Sequence, residues 1–344
     1  MYHCRLPEPG RKPGGVEVFV DRVASALTRR GHDVTVLTYS GAEVPRPYRT
    51  VALRPERVGG SRVLRQYVAP WRFNGRALEG YDVFHFHGDD WFARRRPVPT
   101  VRTFYGSALL EALSATSLKR KADQSLIFAL ELLAARTADA RYGIGIDSRT
   151  IYAADGVLQC GIDLPQAGLT PSEHPTIAFI GTWEGRKRGR MLHDAFQEHV
   201  RPRLPDAELL MVSDRCEPGP GVMWVREPSD EELDEVLRRA WVFCLPSSYE
   251  GLGLPYLEAM AWGVPVVATP NPGAEDLLRG GLSGLIVEAD DLGPSLTGLL
   301  EDPERRAQLS AAGRERAADF AWDHIVDEYE RAYGHAIERF RARA

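Results

Sequence analysis

The stretch 242–269 constrains this chain more than any other. The apolar run Val242–Leu245 reads as a buried strand that Pro246 ends. A glycine-rich loop follows, a helix opens near Pro255, and a second buried strand runs from Pro265 to Ala268. Proline suits the first helical turn, where its missing N–H costs nothing. This order sets Glu250 in the loop at the carboxyl end of a strand, and Glu258 in or just past the first turn of the helix. Open α/β sheets bind ligands in that crevice. The N–H groups of Gly251, Leu252, Gly253 and Leu254, with the helix dipole, favour an anion there. Two carboxylates beside an anion site need another role, and accepting hydrogen bonds from sugar hydroxyls is the natural one. Either glutamate alone would be read as a charge that complements the dipole.

The rest of the chain repeats the same grammar. Strands and helices alternate from end to end, the pattern of a parallel sheet covered on both faces. Val16, Phe19, Val20, Val23 and Leu27 share one helical face that Gly31 ends. Strands are expected over Asp33–Thr38, Thr50–Leu53, Asp82–Phe86 and Thr100–Phe104, and two helices between Ala108 and Ala138. Residues Pro165–Pro175 hold three prolines and no periodicity, the mark of a linker. The pattern then restarts, with strands over Thr176–Ile180, Glu208–Val212, Val222–Val225 and Leu285–Glu288. Helices are expected over Arg190–Val200 and over Asp230–Ala240, the latter with Ser229 as N-cap. Gly143-Ile-Gly145 lacks a third glycine and opens no clear helix, which argues against a dehydrogenase.

Composition excludes several classes. A chain of 344 residues suggests about two domains and buries enough surface to be stable without disulfides. Cys4, Cys160, Cys216 and Cys244 are far apart and show no zinc spacing, so a reducing cytoplasm is the expected setting. No apolar run is long enough to span a membrane, and residues 1–15 do not read as a signal peptide. A net charge of −5 argues against a general nucleic-acid partner. The clusters Arg94-Arg95-Arg96 and Lys119-Arg120-Lys121 read as solvated faces, the second also as a weak contact for an anionic lipid surface.

The block from Glu250 to Glu258 closely resembles the Glu-x7-Glu signature of the retaining glycosyltransferases of family 4, which have the GT-B fold. That resemblance implies an α/β protein of two Rossmann-like, doubly wound domains facing across a cleft. Residues 1–165 would bind the acceptor and residues 166–320 the nucleotide sugar, while residues 321–344 would form a helix crossing back to the first domain. It also implies that Glu250 and the amides after it meet the donor sugar and phosphates, and that Glu258 holds the ribose.

Moving a sugar from a nucleotide diphosphate requires stabilising charge on the leaving diphosphate. Enzymes that present an Asp-x-Asp pair do this with a metal, and this chain contains no Asp-x-Asp. Side chains and helix ends must then supply the positive charge. The segment Phe179–Arg190 follows a buried strand and precedes a helix, so its cations point to the same crevice as the Glu250 loop. It resembles the family's glycine-to-lysine loop. Lys187 stands at the matching distance from Gly181, Thr182 replaces a common arginine, and Arg186 supplies that charge.

Gly14-Gly15 before the first helix resembles the family's Gly-Gly loop near donor and acceptor, though such a pair is also an ordinary turn. Asp82-Val-Phe-His-Phe-His87 resembles the family's Asp-Val-x-His strand end, and either His85 or His87 is a cleft residue or a satisfied structural one. Tyr105 stands where many members have an active-site histidine, and Cys160 where they have an asparagine. Only Tyr2–Leu6 precedes the Gly-Gly loop, with His3 and Arg5 interrupting the apolar pattern expected of a central strand. Either the start is assigned too late or a degenerate short strand suffices.

The resulting expectation is a cytoplasmic, metal-independent, retaining glycosyltransferase that moves a hexose or deoxyhexose to an acceptor hydroxyl. It needs no cofactor beyond the donor. A nucleotide-sugar epimerase on a related fold and a catalytically silent sugar-nucleotide-binding subunit are the rival readings.

Overall fold

The computed structural model describes residues 1–11, 14–39, 41–53, 80–88, 90–91, 93, 96–114 and 117–343. Arg94 and Arg95 of the first basic cluster lie outside them. The chain forms two compact units: Met1–Gly161 with Trp322–Ala344, and Ile162–Ala321.

The first unit opens with α1 (Gly15–Arg29), then β1 (Thr35–Thr38), β2 (Arg49–Ala52), β3 (Phe84–Phe86) and β4 (Thr100–Phe104). Helices α2 (Ala108–Ser114) and α3 (Leu118–Ala135), strand β5 (Ala140–Gly143), helix α4 (Ile146–Ile151) and strand β6 (Gly156–Val157) complete this stretch. The second unit runs β7 (Thr176–Ile180), α5 (Gly189–Ala195), β8 (Glu208–Val212), β9 (Val222–Val225), α6 (Asp230–Arg239) and β10 (Val242–Leu245). It continues through α7 (Leu254–Trp262), β11 (Val266–Ala268), α8 (Pro272–Leu277), β12 (Leu285–Ile286), α9 (Leu292–Glu301) and α10 (Pro303–Ala318). The last helix, α11 (Trp322–Arg343), belongs to the first unit.

In the first unit β1 pairs with β2, and β3, β4, β5 and β6 pair in that order, all parallel. Tyr2 joins the two sets by parallel bridges to Leu37 and Phe86. Its N–H donates to the His85 carbonyl at 2.8 Å, and its own carbonyl accepts from the His87 N–H at 3.0 Å. On the other side the His3 and Tyr39 N–H groups donate to the carbonyls of Leu37 and Cys4. The segment 1–6 therefore lies between β1 and β3, where the central strand is expected, with Tyr2 and Leu6 fully buried. His3 is tolerated there because its Nδ1 hydrogen-bonds the His87 carbonyl at 2.8 Å, so the ring is buried with a partner.

Helix α11 closes this unit. Ile325, Tyr329, Ala332 and Ala336 recur at helical spacing and are buried, while charged residues occupy other faces. Burying a large apolar side chain contributes about 1.5–3 kcal/mol relative to exposure. Arg30 at the end of α1 pairs with Asp323 at 3.7 Å, with Glu330 at 3.8 Å and with Asp327. Farther along, Arg339 meets Asp155 at 2.8 Å. Gly161 is required where the chain passes Trp322, because a Cβ would stand 2.4 Å from the indole.

The second unit has one six-stranded parallel sheet ordered β12-β11-β10-β7-β8-β9. Strand order reverses between β7 and β10, so the topological switch point of a doubly wound sheet lies between those two strands. Ser229 caps α6 through a capping box with Glu232, as its position before an acidic first turn predicts. Among the elements that escape the sequence reading are β5, α4 and α8. Against the expectation for Gly143-Ile-Gly145, helix α4 opens directly after Gly145, whose extended backbone forms its N-cap.

Candidate active site

The two strands at the switch point of the second unit carry the two loops singled out above. The segment Gly181–Arg188 leaves β7, and the segment Pro246–Gly253 leaves β10. Glycine is needed in the first loop at Gly181, where a Cβ would lie 2.6 Å from the Phe179 ring and 3.1 Å from the Lys187 side chain. It is needed in the second at Gly253, which has φ +84° and would press a Cβ to 2.4 Å from the Tyr256 ring. Gly253 is the N-cap of α7, with Pro255 in the first turn. The first helical N–H is that of Leu254, since Pro255 has none and the Tyr256 N–H donates to the Gly253 carbonyl at 2.8 Å.

Glu250 is the focus of this edge. Its carboxylate is buried, and Oε1 receives Arg186 Nη1 at 2.6 Å, Lys187 Nζ at 2.5 Å and Ser247 Oγ at 2.7 Å. The loops are also tied through backbone: Arg186 Nη1 donates to the Tyr249 carbonyl at 2.8 Å, and the Ser248 N–H to the Arg186 carbonyl at 2.8 Å. Burial alone would raise the Glu250 carboxyl, but the neighbouring charges of Lys187 and Arg186 outweigh it and hold the group below its usual range. Burial lowers the Lys187 ammonium, and Glu250 offsets part of that. The result is a charge-paired cluster in which Glu250 and Lys187 are largely desolvated while Arg186 stays partly exposed.

Behind it stands a polar support that the sequence reading missed. Asn271 Nδ2 donates to the Ser247 carbonyl at 3.2 Å and the Thr269 carbonyl at 2.8 Å, and its Oδ1 caps α8 through the Ala274 N–H. Tyr256 Oη donates to the Leu245 carbonyl at 2.8 Å. The Gly273 N–H donates to the Glu250 carbonyl at 2.9 Å, and a Cβ on Gly273 would lie 2.8 Å from that oxygen. The signal was available: asparagine immediately before proline is an N-cap with proline at the first helical position.

Not every cation of the basic loop joins this cluster. Arg190 turns to Glu184 at 2.6 Å and Glu217 at 3.3 Å. Thr182 Oγ1 caps its own loop by donating to the Glu184 carbonyl at 2.9 Å. Glu258 is half-buried one helical turn into α7, and Gly251 and Leu254 are half-buried beside the buried Leu252.

The candidates of the first unit fall into two groups. Gly14 and Gly15 are exposed, and Gly15 has open space where a Cβ would stand. The backbone of the first turn of α1 does not itself demand glycine there. His85 is buried with both nitrogens occupied, by Thr103 Oγ1 at 2.8 Å and Tyr333 Oη at 3.1 Å. In this state His85 therefore offers a ligand no free nitrogen. His87 stacks on it at 3.9 Å between centroids and hydrogen-bonds Tyr105 Oη through Nδ1 at 2.5 Å. Its Nε2 is buried with no partner among the described residues. Tyr105 packs edge-on against Phe19 at 4.9 Å and is only partly buried. Burial pushes both imidazoles well below the ordinary histidine range and the Tyr105 phenol well above its own.

Known proteins share this arrangement of sequence and fold. The model of "Glycosyl transferases group 1" matches residues 163–316, and that of "Glycosyltransferase Family 4" matches residues 13–144. The chain is 29% identical to the D-inositol 3-phosphate glycosyltransferase of Mycolicibacterium smegmatis, over 98% of this chain and 90% of that one. It is 27% identical to the phosphatidyl-myo-inositol mannosyltransferase of the same organism, over 93% and 90%. In fold it is similar to sucrose-phosphate synthase from Thermosynechococcus elongatus, with TM-score 0.75 and 21% identity over 96% of this chain and 94% of that one. It is also similar to HepE of Anabaena in complex with UDP and glucose, with TM-score 0.72 and 17% identity over 96% and 98%. With these matches spanning both units, the chain belongs to the GT-B glycosyltransferases of the family 4 type.

Proposed function

We propose that this glycosyltransferase is a metal-independent, retaining hexosyltransferase whose donor is a nucleotide-diphosphate hexose or deoxyhexose. The observation that carries the reading is the convergence of Arg186 and Lys187 at the switch point of the second unit, beside the N-terminus of α7. Two preorganised cations and a helix terminus can stabilise the charge that builds on a departing diphosphate. Glu250, with the amides of Gly251, Leu252, Gly253 and Leu254, orients the sugar. Glu258 holds the ribose, one turn along the same helix. Gly181 lets the Lys187 loop pack closely on its strand. In the first unit, Gly14, Gly15 and Tyr105 contribute to the acceptor side, where the exposed glycines leave room for a ligand to approach backbone.

The acceptor is a hydroxyl compound. Helix α3 begins with the exposed residues Leu118, Lys119, Arg120 and Lys121, which supports a weak contact with an anionic lipid surface. Cosedimentation with anionic vesicles and not with zwitterionic ones would support it; equal pelleting with both would remove it.

The deciding experiment for the donor is a set of melting curves with UDP-, GDP-, ADP- and TDP-hexoses, with magnesium and with EDTA. A ligand of the folded state raises Tm by mass action. One nucleotide series should raise it equally with and without the metal, and transfer should persist in EDTA with the anomeric configuration kept. Chelation that abolishes transfer, or inversion seen by NMR of the product, would overturn the respective half of the proposal.

A further inference from the structure

We propose that Glu250 is the internal anion of the donor site, and that it sets the preference for intact nucleotide sugar over bare nucleoside diphosphate. This rests on the reading of Arg186 and Lys187 as the diphosphate cations. Without ligand both cations are committed to one carboxylate oxygen, which also holds the Ser247 hydroxyl. Glu250 is only 5% exposed, so water does little to replace those partners. A diphosphate that takes Lys187 and Arg186 must first strip Glu250 of its charge partners. A buried carboxylate left unpaired is a costly state.

The two ligands differ in what they return. An intact donor brings sugar hydroxyls, which donate to Glu250 as the cations leave it, so each group exchanges one partner for another. A bare nucleoside diphosphate takes the cations and gives Glu250 nothing. The same asymmetry acts after transfer. Once the glycosidic bond to the acceptor has formed, the donor's sugar–phosphate bond has broken and the acceptor's hydroxyl proton has passed to the leaving diphosphate, Glu250 loses its hydroxyl donors. It then competes for Lys187 and Arg186 and helps to expel the diphosphate product. Leaving-group stabilisation and product release are thereby set by one exchange of ion pairs.

Replacing Glu250 with glutamine keeps the shape and removes the competing charge. Titration calorimetry of wild type and Glu250→Gln with UDP, GDP, ADP and TDP, and with the matching hexose donors, reads the effect. The variant should bind the preferred bare nucleotide about tenfold tighter or more. It should bind the intact donor no tighter, so that the preference collapses. Equal or weaker binding of the bare nucleotide by Glu250→Gln overturns the proposal. Glu250→Asp keeps the charge but withdraws it by one methylene, and should shift the same ratio less. If the glutamine variant does not fold, the absence of that shift counts equally against it. Lys187→Met separates the two layers of the argument. Undiminished nucleotide binding in that variant, or no binding of any nucleotide by wild type, removes the site reading itself. Lost binding in Lys187→Met without tightening in Glu250→Gln removes only the internal anion.

Discussion

Each unit of this chain builds polar side chains at the carboxyl ends of its central parallel strands, and the two solve the burial problem in opposite ways. In the second unit the cluster is ionic: Glu250 is kept charged by Lys187 and Arg186 against the cost of burial. In the first unit the histidines and tyrosines are neutral, beside a buried Arg102–Asp90 ion pair: His85 and His87 are driven well below their ordinary range, and Tyr105, Tyr329 and Tyr333 are raised. A buried charge survives only with partners, whereas an imidazole or phenol can shed its charge and keep its hydrogen bonds. The ionic edge is thus suited to a diphosphate, and the neutral edge to hydroxyl groups.

The largest test removes the charge that defines this contrast. Lys187→Ala should lower kcat by ~10²–10³-fold, the usual loss for one preorganised electrostatic donor. The ligand-free protein should also be less stable, since Glu250 keeps only part of its pairing. Single-turnover rates near wild type would take Lys187 out of the chemistry and leave the ionic edge a structural feature.

The proposed ribose contact of Glu258 gives the next test. Glu258→Gln should weaken donor binding by about 10–100-fold, the range for hydrogen bonds to a charged group. With a 2′,3′-dideoxyribose nucleotide the two proteins should bind alike. A loss of the same size with the dideoxy ligand would show that Glu258 acts on something other than ribose.

How much of this contrast was legible in the sequence follows from the range of each signal. The switch-point loops were readable because their features are local: a buried strand, glycines, then a helix begun by Pro255. The capping of α6 by Ser229 was readable for the same reason. The pairing of Arg186 with the Glu250 carboxylate spans 64 positions and is supplied by β7 lying next to β10. Periodicity carries no information on such neighbours. The first strand was obscured for a related reason. His3 looks unsuited to a sheet centre until the His87 carbonyl that accepts its ring is known. Strand β5 and helix α4 were lost because Ala140-Arg-Tyr-Gly143 has a polar residue inside and a glycine at its end, which imitates a loop.

Acid titration sharpens the comparison between the units. His85 and His87 have folded values below the unfolded one, so between the two the unfolded chain binds more protons. Stability is therefore lost as pH falls below about 6.5, at roughly 1–2 kcal/mol per pH unit for each histidine. Glu250 is also depressed, but its contribution is present above the ordinary carboxylate value of about 4.3 and is lost only as pH falls through the still lower folded value. Between about pH 6.5 and 4.5 the first unit should loosen while the ionic edge of the second holds. Hydrogen exchange resolved by peptide reads this directly. Strands β3 and β4 should lose protection before β7 and β10, and the reverse order would contradict the assignment of charge states.

The smallest effect probes the neutral edge. Tyr105 is held by His87, whose ring is buried, stacked on His85 and neutral. If the phenol meets the acceptor, Tyr105→Phe should raise the acceptor KM by roughly 2–10-fold, the worth of one neutral hydrogen bond, and leave the donor KM unchanged. His87→Gln keeps a hydrogen-bonding group in the pocket but loses the ring stacking, and should raise the same KM less. In the double variant the two effects should be less than additive, because both act through one hydroxyl. Full additivity would mean that His87 supports the fold and not the placement of Tyr105. A change in donor KM instead would move Tyr105 from the acceptor side to the donor side and erase the division of labour between the two sheet edges.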